Sequence, residues 1–136
     1  MKNYSTTTIR IRYGETDQMG VVYHGNYAQF LEIGRIEWLR ARGISYKSME
    51  ENGVMLPVIH LAIQYKASAK YDDVITVKTS IKKTPKVKIE FDYEITNQNG
   101  EILTFANTIL AFINMQTGRP MMCPDYILEK IAEMEF

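Results

Sequence analysis

The run TIRIRY at residues 8–13 alternates apolar and polar positions with a period of two, which sets Ile9 and Ile11 on one face and predicts a strand. Gly14 and Gly20 bracket the polar stretch GETDQMG, where the chain leaves the sheet as a loop with Asp17 in its middle. The period then changes. From residue 27 to 42, Tyr27, Leu31, Gly34, Trp38 and Ala41 recur at spacings of four, three, four and three, the stripe of an amphipathic helix. Glu32, Arg35, Glu37, Arg40 and Arg42 supply its polar side. Asn26 is placed to cap the first turn with Gln29 as reciprocal partner, and Gly43 to stop the last. At about 1.5 Å per residue this helix spans roughly 24 Å, enough to cross several strands.

Residues 45–52 read as a short helical turn ended by Gly53. Four runs rich in β-branched and aromatic residues follow, at 56–65, 74–82, 86–96 and 102–115, and each predicts a strand. Asn99-Gly100 is a hairpin signal, Thr84-Pro85 marks another turn, and residues 124–134 form a closing helix. One long helix after the first strand, then mostly antiparallel strands, gives an α+β layer structure with a curved sheet packed around that helix. With no repeat or linker, residues 1–136 form a single domain.

Composition narrows the function. The 46% hydrophobic and 24% charged fractions exclude a disordered chain. Lys plus Arg and Asp plus Glu both number 16, so no global field draws the chain to nucleic acid or an anionic membrane. The lone Cys123 excludes an internal disulfide, and no C-x-x-C or close His/Cys cluster suggests a metal. No window has the roughly 18 apolar residues of a membrane helix, and the N-terminus has no apolar stretch of signal length. A soluble, cytoplasmic protein without metal or redox cofactor is expected.

The run RYGETDQMGVVYHGNYAQFLEIGR, residues 12–35, resembles the 4-hydroxybenzoyl-CoA thioesterase family of hotdog-fold proteins, especially its short bacterial acyl-CoA thioesterases. The Asp, the Gly-Val-Val-Tyr-His segment and the following Asn-Tyr stand in the family's order and spacing. YKASAKYDDVITV at 65–77 and GRPMMCP at 118–124 extend the resemblance to about residues 6–130. Many members carry a Pro before the Tyr-Asp-Asp, where this chain has Ser68-Ala69. The resemblance implies a hotdog fold, an antiparallel sheet wrapped around one long central helix. It also implies an acyl-CoA substrate, a homodimer or homotetramer with sites at the subunit interface, and a catalytic Asp at Asp17.

The chemistry is consistent with that. A thioester releases a thiolate whose pKa resembles that of cysteine, about 8.5, so it departs near neutral pH without a strong general acid. One carboxylate plus an oxyanion site then suffices. Asp17 either attacks the carbonyl to give a mixed anhydride or acts as general base on water, and both routes stay open. The first N–H groups of the long helix lack intrahelical partners and carry the positive end of its dipole, so they stabilise a developing oxyanion. Tyr23, His24 and Gly25 are expected to present them; the His24 side chain is placed to position substrate or water, and Gly25 to allow close approach. Tyr13, in the same segment, is a further substrate-binding candidate.

Lys70, beside Tyr71-Asp72-Asp73, is similar to a basic position of the family and is the candidate for CoA phosphate. Glu32 reads as a surface ion pair with Arg35, and His60 as a hydrogen-bonded sheet residue. Lys82, Lys83, Lys86 and Lys88 read as an exposed strand face or protected edge, with a basic patch for CoA phosphates or a docking surface for an acyl carrier protein as the alternatives. Met19, Met55, Met121 and Met122 are expected among core and pocket-lining residues. The rival functions are hydrolysis of acyl carrier protein thioesters and a non-hydrolytic acyl-CoA-binding regulatory module; a binder has no need of a carboxylate at Asp17.

Overall fold

In the computed structural model, which describes residues 1–136, strand β1 (Tyr4–Arg10) feeds a loop containing two 3-10 turns, Tyr13–Glu15 and His24–Asn26. The second turn runs directly into the long helix α1 (Tyr27–Ala41). There follow α2 (Tyr46–Glu51), β2 (Val54–Met55), β3 (Val58–Tyr65), β4 (Val74–Ser80), β5 (Lys88–Thr96), β6 (Ile102–Ala111), β7 (Ile113–Asn114) and α3 (Asp125–Ala132). Five strands form one sheet in the order β1-β4-β5-β6-β3, antiparallel at every step, and β2 pairs with β7 apart from it. This is the expected α+β architecture, with α1 laid against the sheet.

Side-chain alternation explains the packing. Ile75, Val77 and Thr79 of β4 and Ile89, Phe91, Tyr93 and Ile95 of β5 are buried, and they meet Tyr27, Phe30, Leu31, Trp38 and Leu39 of α1. Trp38 stands edge-on to Phe91 with ring centres 5.3 Å apart. At Gly34 the helix lies close on the sheet: a Cβ there would lie 2.6 Å from Thr79 Oγ1 and 2.8 Å from Val77 Cγ1. The Gly34 position in the apolar stripe is therefore a packing requirement. Ala41, assigned to the same stripe, faces solvent.

Arg42, expected on the polar side, is buried. It stacks 3.9 Å from the Trp38 ring and donates to Ser5 Oγ at 2.6 Å and to the carbonyls of Trp38, Lys2 and Tyr4 at 2.8, 2.8 and 3.1 Å. It fastens the end of α1 to the start of β1. That pairing, from Tyr4↔Ser80 to Arg10↔Val74, also places the first strand earlier than the alternation at 8–13 suggested. Asn26 does not cap α1, because the preceding 3-10 turn continues into it and the Asn26 amide instead donates to the Glu15 carbonyl at 2.9 Å. Gly43 does end the helix, at φ +76°.

The last long strand breaks at Phe112, so that β7 can reach β2. His60 lies exposed on β3 with no side-chain hydrogen bond, because β3 is an edge strand paired only with β6. Met19 is exposed but lines a cleft beside Asp17, as expected of a pocket methionine, and Met121 packs at the rim of the core; Met55 and Met122 are exposed, and the buried methionines are Met49 and Met134. No helix is long and apolar enough to cross a membrane.

Candidate active site

The loop between β1 and α1 is held by hydrogen bonds that converge on Glu15. Its carboxylate accepts the Arg12 N–H at 2.7 Å, and its carbonyl accepts the Tyr23 N–H at 3.0 Å and the Asn26 amide at 2.9 Å. Within this frame the chain doubles back: the Asp17 N–H donates to the Val21 carbonyl at 2.9 Å, and Gly20 N–H to the Asp17 carbonyl at 3.0 Å. Gly20 sits at φ +78°, a turn conformation that glycine adopts without penalty. Asp17 Oδ1 accepts the Met19 N–H at 2.9 Å, an Asx turn, while Oδ2 has no partner within the chain.

A second segment, residues 66–70, is strapped across this loop. Val22 N–H donates to the Ala69 carbonyl at 2.9 Å, Ala69 N–H donates to the Tyr27 hydroxyl at 3.2 Å, and Val21 pairs with Lys70 through the backbone. Burial pushes the Tyr27 phenol above its usual pKa. Between loop, strap and the end of β3 lies a cleft of about 300 Å³, walled by Asp17, His24, Tyr27, Tyr65, Lys66 and Ser68 among others.

The start of α1 faces the same region. The Tyr23 N–H is spent on Glu15, so it is not an available oxyanion donor, contrary to expectation. The N–H groups of His24 and Gly25 donate to no acceptor in the chain. The Tyr23 ring packs against His24 at 4.5 Å and across Gly25, where a Cβ would meet Tyr23 Cε2 at 2.6 Å. A side chain at residue 25 would therefore push the exposed Tyr23 ring aside.

Tyr13 is not among the cleft residues. Its 3-10 turn presents it to solvent, edge-on to Tyr71 at 5.6 Å. Lys70 flanks the cleft through its backbone pairing with Val21, but Lys66 is the lysine that lines it, and neither makes an ion pair. Lys66 and Tyr65 were missed in the sequence; the only signal was their place at the head of YKASAK, where a strand ends. Glu32 stands outside the Asp17 cleft, 3.9 Å from Arg35, lining a separate hollow of about 210 Å³ with Val58 and Leu61.

Lys82 and Lys83 pair with Asp92 and Glu90 at 3.5 and 3.4 Å. The turn that holds Lys82, Lys83 and Lys86, and Lys88 at the start of β5, lie at the opposite end of the sheet from Asp17: β4 begins at Val74, opposite Arg10, and ends at Ser80, opposite Tyr4. No group of three or more His, Cys, Asp or Glu side chains is gathered where a metal ion could be held.

Residues 11–131 match the Thioesterase-like superfamily. In structure the chain is similar to the DHNA-CoA thioesterase of Staphylococcus aureus, with a TM-score of 0.89 and 39% identity over 96% of this chain and 89% of that one. It is 35% identical over 117 residues to YneP of Bacillus subtilis, covering 86% of this chain and 85% of that protein. It is also 32% identical over 117 residues to the acyl-CoA thioesterase YbgC of Haemophilus influenzae, covering 85% of each.

Proposed function

The chain belongs to the thioesterase-like superfamily, and from that premise we propose that it hydrolyses acyl-CoA to a carboxylic acid and CoA with Asp17 as the catalytic carboxylate. One observation supports the assignment of the site: Asp17, with a carboxylate oxygen free of partners, and His24, with a backbone N–H free of partners, line one cleft, and the equally free Gly25 N–H follows His24 in the same turn. The thioester carbonyl oxygen docks on the His24 and Gly25 amides, which stabilise the negative charge that develops there. Asp17 Oδ2 attacks the carbonyl or takes a proton from the attacking water. The CoA thiolate leaves without a dedicated acid, and on the first route water then cleaves the Asp17 anhydride, releasing the acid and restoring the carboxylate. Lys66 and Lys70, both unpaired, attract the CoA phosphates, and their contribution weakens as salt screens them.

A homodimer or a dimer of dimers belongs to the same proposal. Strand β3 offers an unpaired edge and exposed apolar side chains, Val58, Ile59 and Leu61. A cytoplasmic setting does too, supported by the free, buried Cys123. The test is release of free thiol from a panel of CoA thioesters. Turnover without a carrier protein is expected. Hydrolysis of acyl carrier protein thioesters alone would replace the substrate, and binding of acyl-CoA without thiol release would make the protein a regulatory module.

A further inference from the structure

With His24 and Gly25 read as the oxyanion donors, a premise that this inference shares with the proposed function, we propose that Tyr65 is a positioning residue that orients and polarises the peptide between them. The Tyr65 hydroxyl donates to the His24 carbonyl oxygen at 3.0 Å, across 41 residues of sequence. The same oxygen accepts the Tyr27 N–H at the start of α1. That carbonyl and the Gly25 N–H belong to one planar peptide unit, in which C=O and N–H point in opposite directions. Two donors on the oxygen therefore fix the direction of the N–H on the far side. They also polarise the unit, because hydrogen bonds strengthen one another along a chain, and the Gly25 N–H becomes a better donor to an oxyanion.

The geometry around Tyr65 serves that contact. Its ring stands edge-on to Tyr27 at 5.2 Å and to His24 at 6.5 Å, so the side chain is braced on both sides of the turn that it holds. Its backbone pairs with Thr104 whatever the side chain does. The ring is half exposed, so water would satisfy the hydroxyl equally well. The bond is therefore not needed to fold the chain. It is needed to hold a turn whose N–H groups must aim at the cleft, and which includes a glycine free of side-chain restraint.

Replacement by phenylalanine separates the hydroxyl from the ring. Tyr65→Phe is expected to lower kcat about tenfold with KM and thermal midpoint unchanged, since a donor that acts in the transition state has been weakened. A second readout is the carbonyl stretch of an aroyl-CoA bound to Asp17→Asn protein. Binding should shift the band to lower frequency, and the shift should shrink when Tyr65→Phe is added. An unchanged kcat, a carbonyl band that ignores the hydroxyl, or a fall in kcat matched by a fall in thermal midpoint would each overturn the role. Failure here leaves Asp17 untouched if Asp17→Asn is inactive, whereas an active Asp17→Asn removes the catalytic reading itself.

Discussion

Asp17 uses its two oxygens differently. Oδ1 closes a turn onto the Met19 N–H and Oδ2 is left free, so one residue can close a tight turn and still offer the oxygen that the proposed catalysis requires. Cys123 is the opposite case, a group with chemistry but no access: burial pushes its thiol from 9.0 up to about 12. A thiol reagent such as Ellman's at pH 8 is expected to find no reactive cysteine until the protein is unfolded; fast native labelling would contradict that burial. The shift also has a sign for stability. The folded state holds the Cys123 proton more tightly than the unfolded chain, so its contribution is complete below pH 9 and declines as pH rises from there toward 12. Asp17, His24 and Gly25 were legible as neighbours in one loop because they stand together in one motif. Tyr65 and Lys66 were not, since they arrive from a strand some forty residues away and meet the loop only in three dimensions. Nothing local marks which of three consecutive amides is spent; the Glu15 carbonyl decides it for Tyr23.

At the level of the element, α1 was readable from its periodicity, and its ends and contacts were less so. The stripe located Tyr27, Leu31, Gly34 and Trp38 correctly, because burial against a sheet forces that spacing. It could not show that Arg42 turns inward, since that depends on where the N-terminal strand passes. Two substitutions test these contacts. Gly34→Ala improves helix propensity by about 1 kcal/mol, yet its Cβ would press on Thr79 and Val77, buried β-branched side chains with little freedom to move. A net loss of about 1–2 kcal/mol in denaturant unfolding is expected, and a gain would show that the sheet yields. Arg42→Lys keeps the charge and loses the planar fork that reaches several acceptors at once. It should cost about 2–3 kcal/mol, while a loss under about 0.5 kcal/mol would mean that the carbonyls at the start of β1 find other donors.

For the whole molecule the decisive feature is asymmetry: α1 packs against β1, β4 and β5 and leaves the β3 side of the sheet open. The strand order could not be read from the sequence, because hairpin signals fix neighbours such as β5 and β6 but not the distant pairing of β3 with β6. Leu61→Arg, placed on that open side, is expected to give a monomer by light scattering at micromolar concentration, against a dimer or tetramer for the parent chain. A parent chain that is itself monomeric would refute the assembly. If hydrolysis depends on the Asp17 carboxylate, Asp17→Asn isolates that group, since the amide oxygen can still accept the Met19 N–H and keep the turn. The measurement is kcat/KM for an acyl-CoA by thiol release, with circular dichroism on the same samples: a native spectrum with activity reduced at least a hundredfold is expected, and a folded Asp17→Asn protein with near-parental turnover would contradict the account.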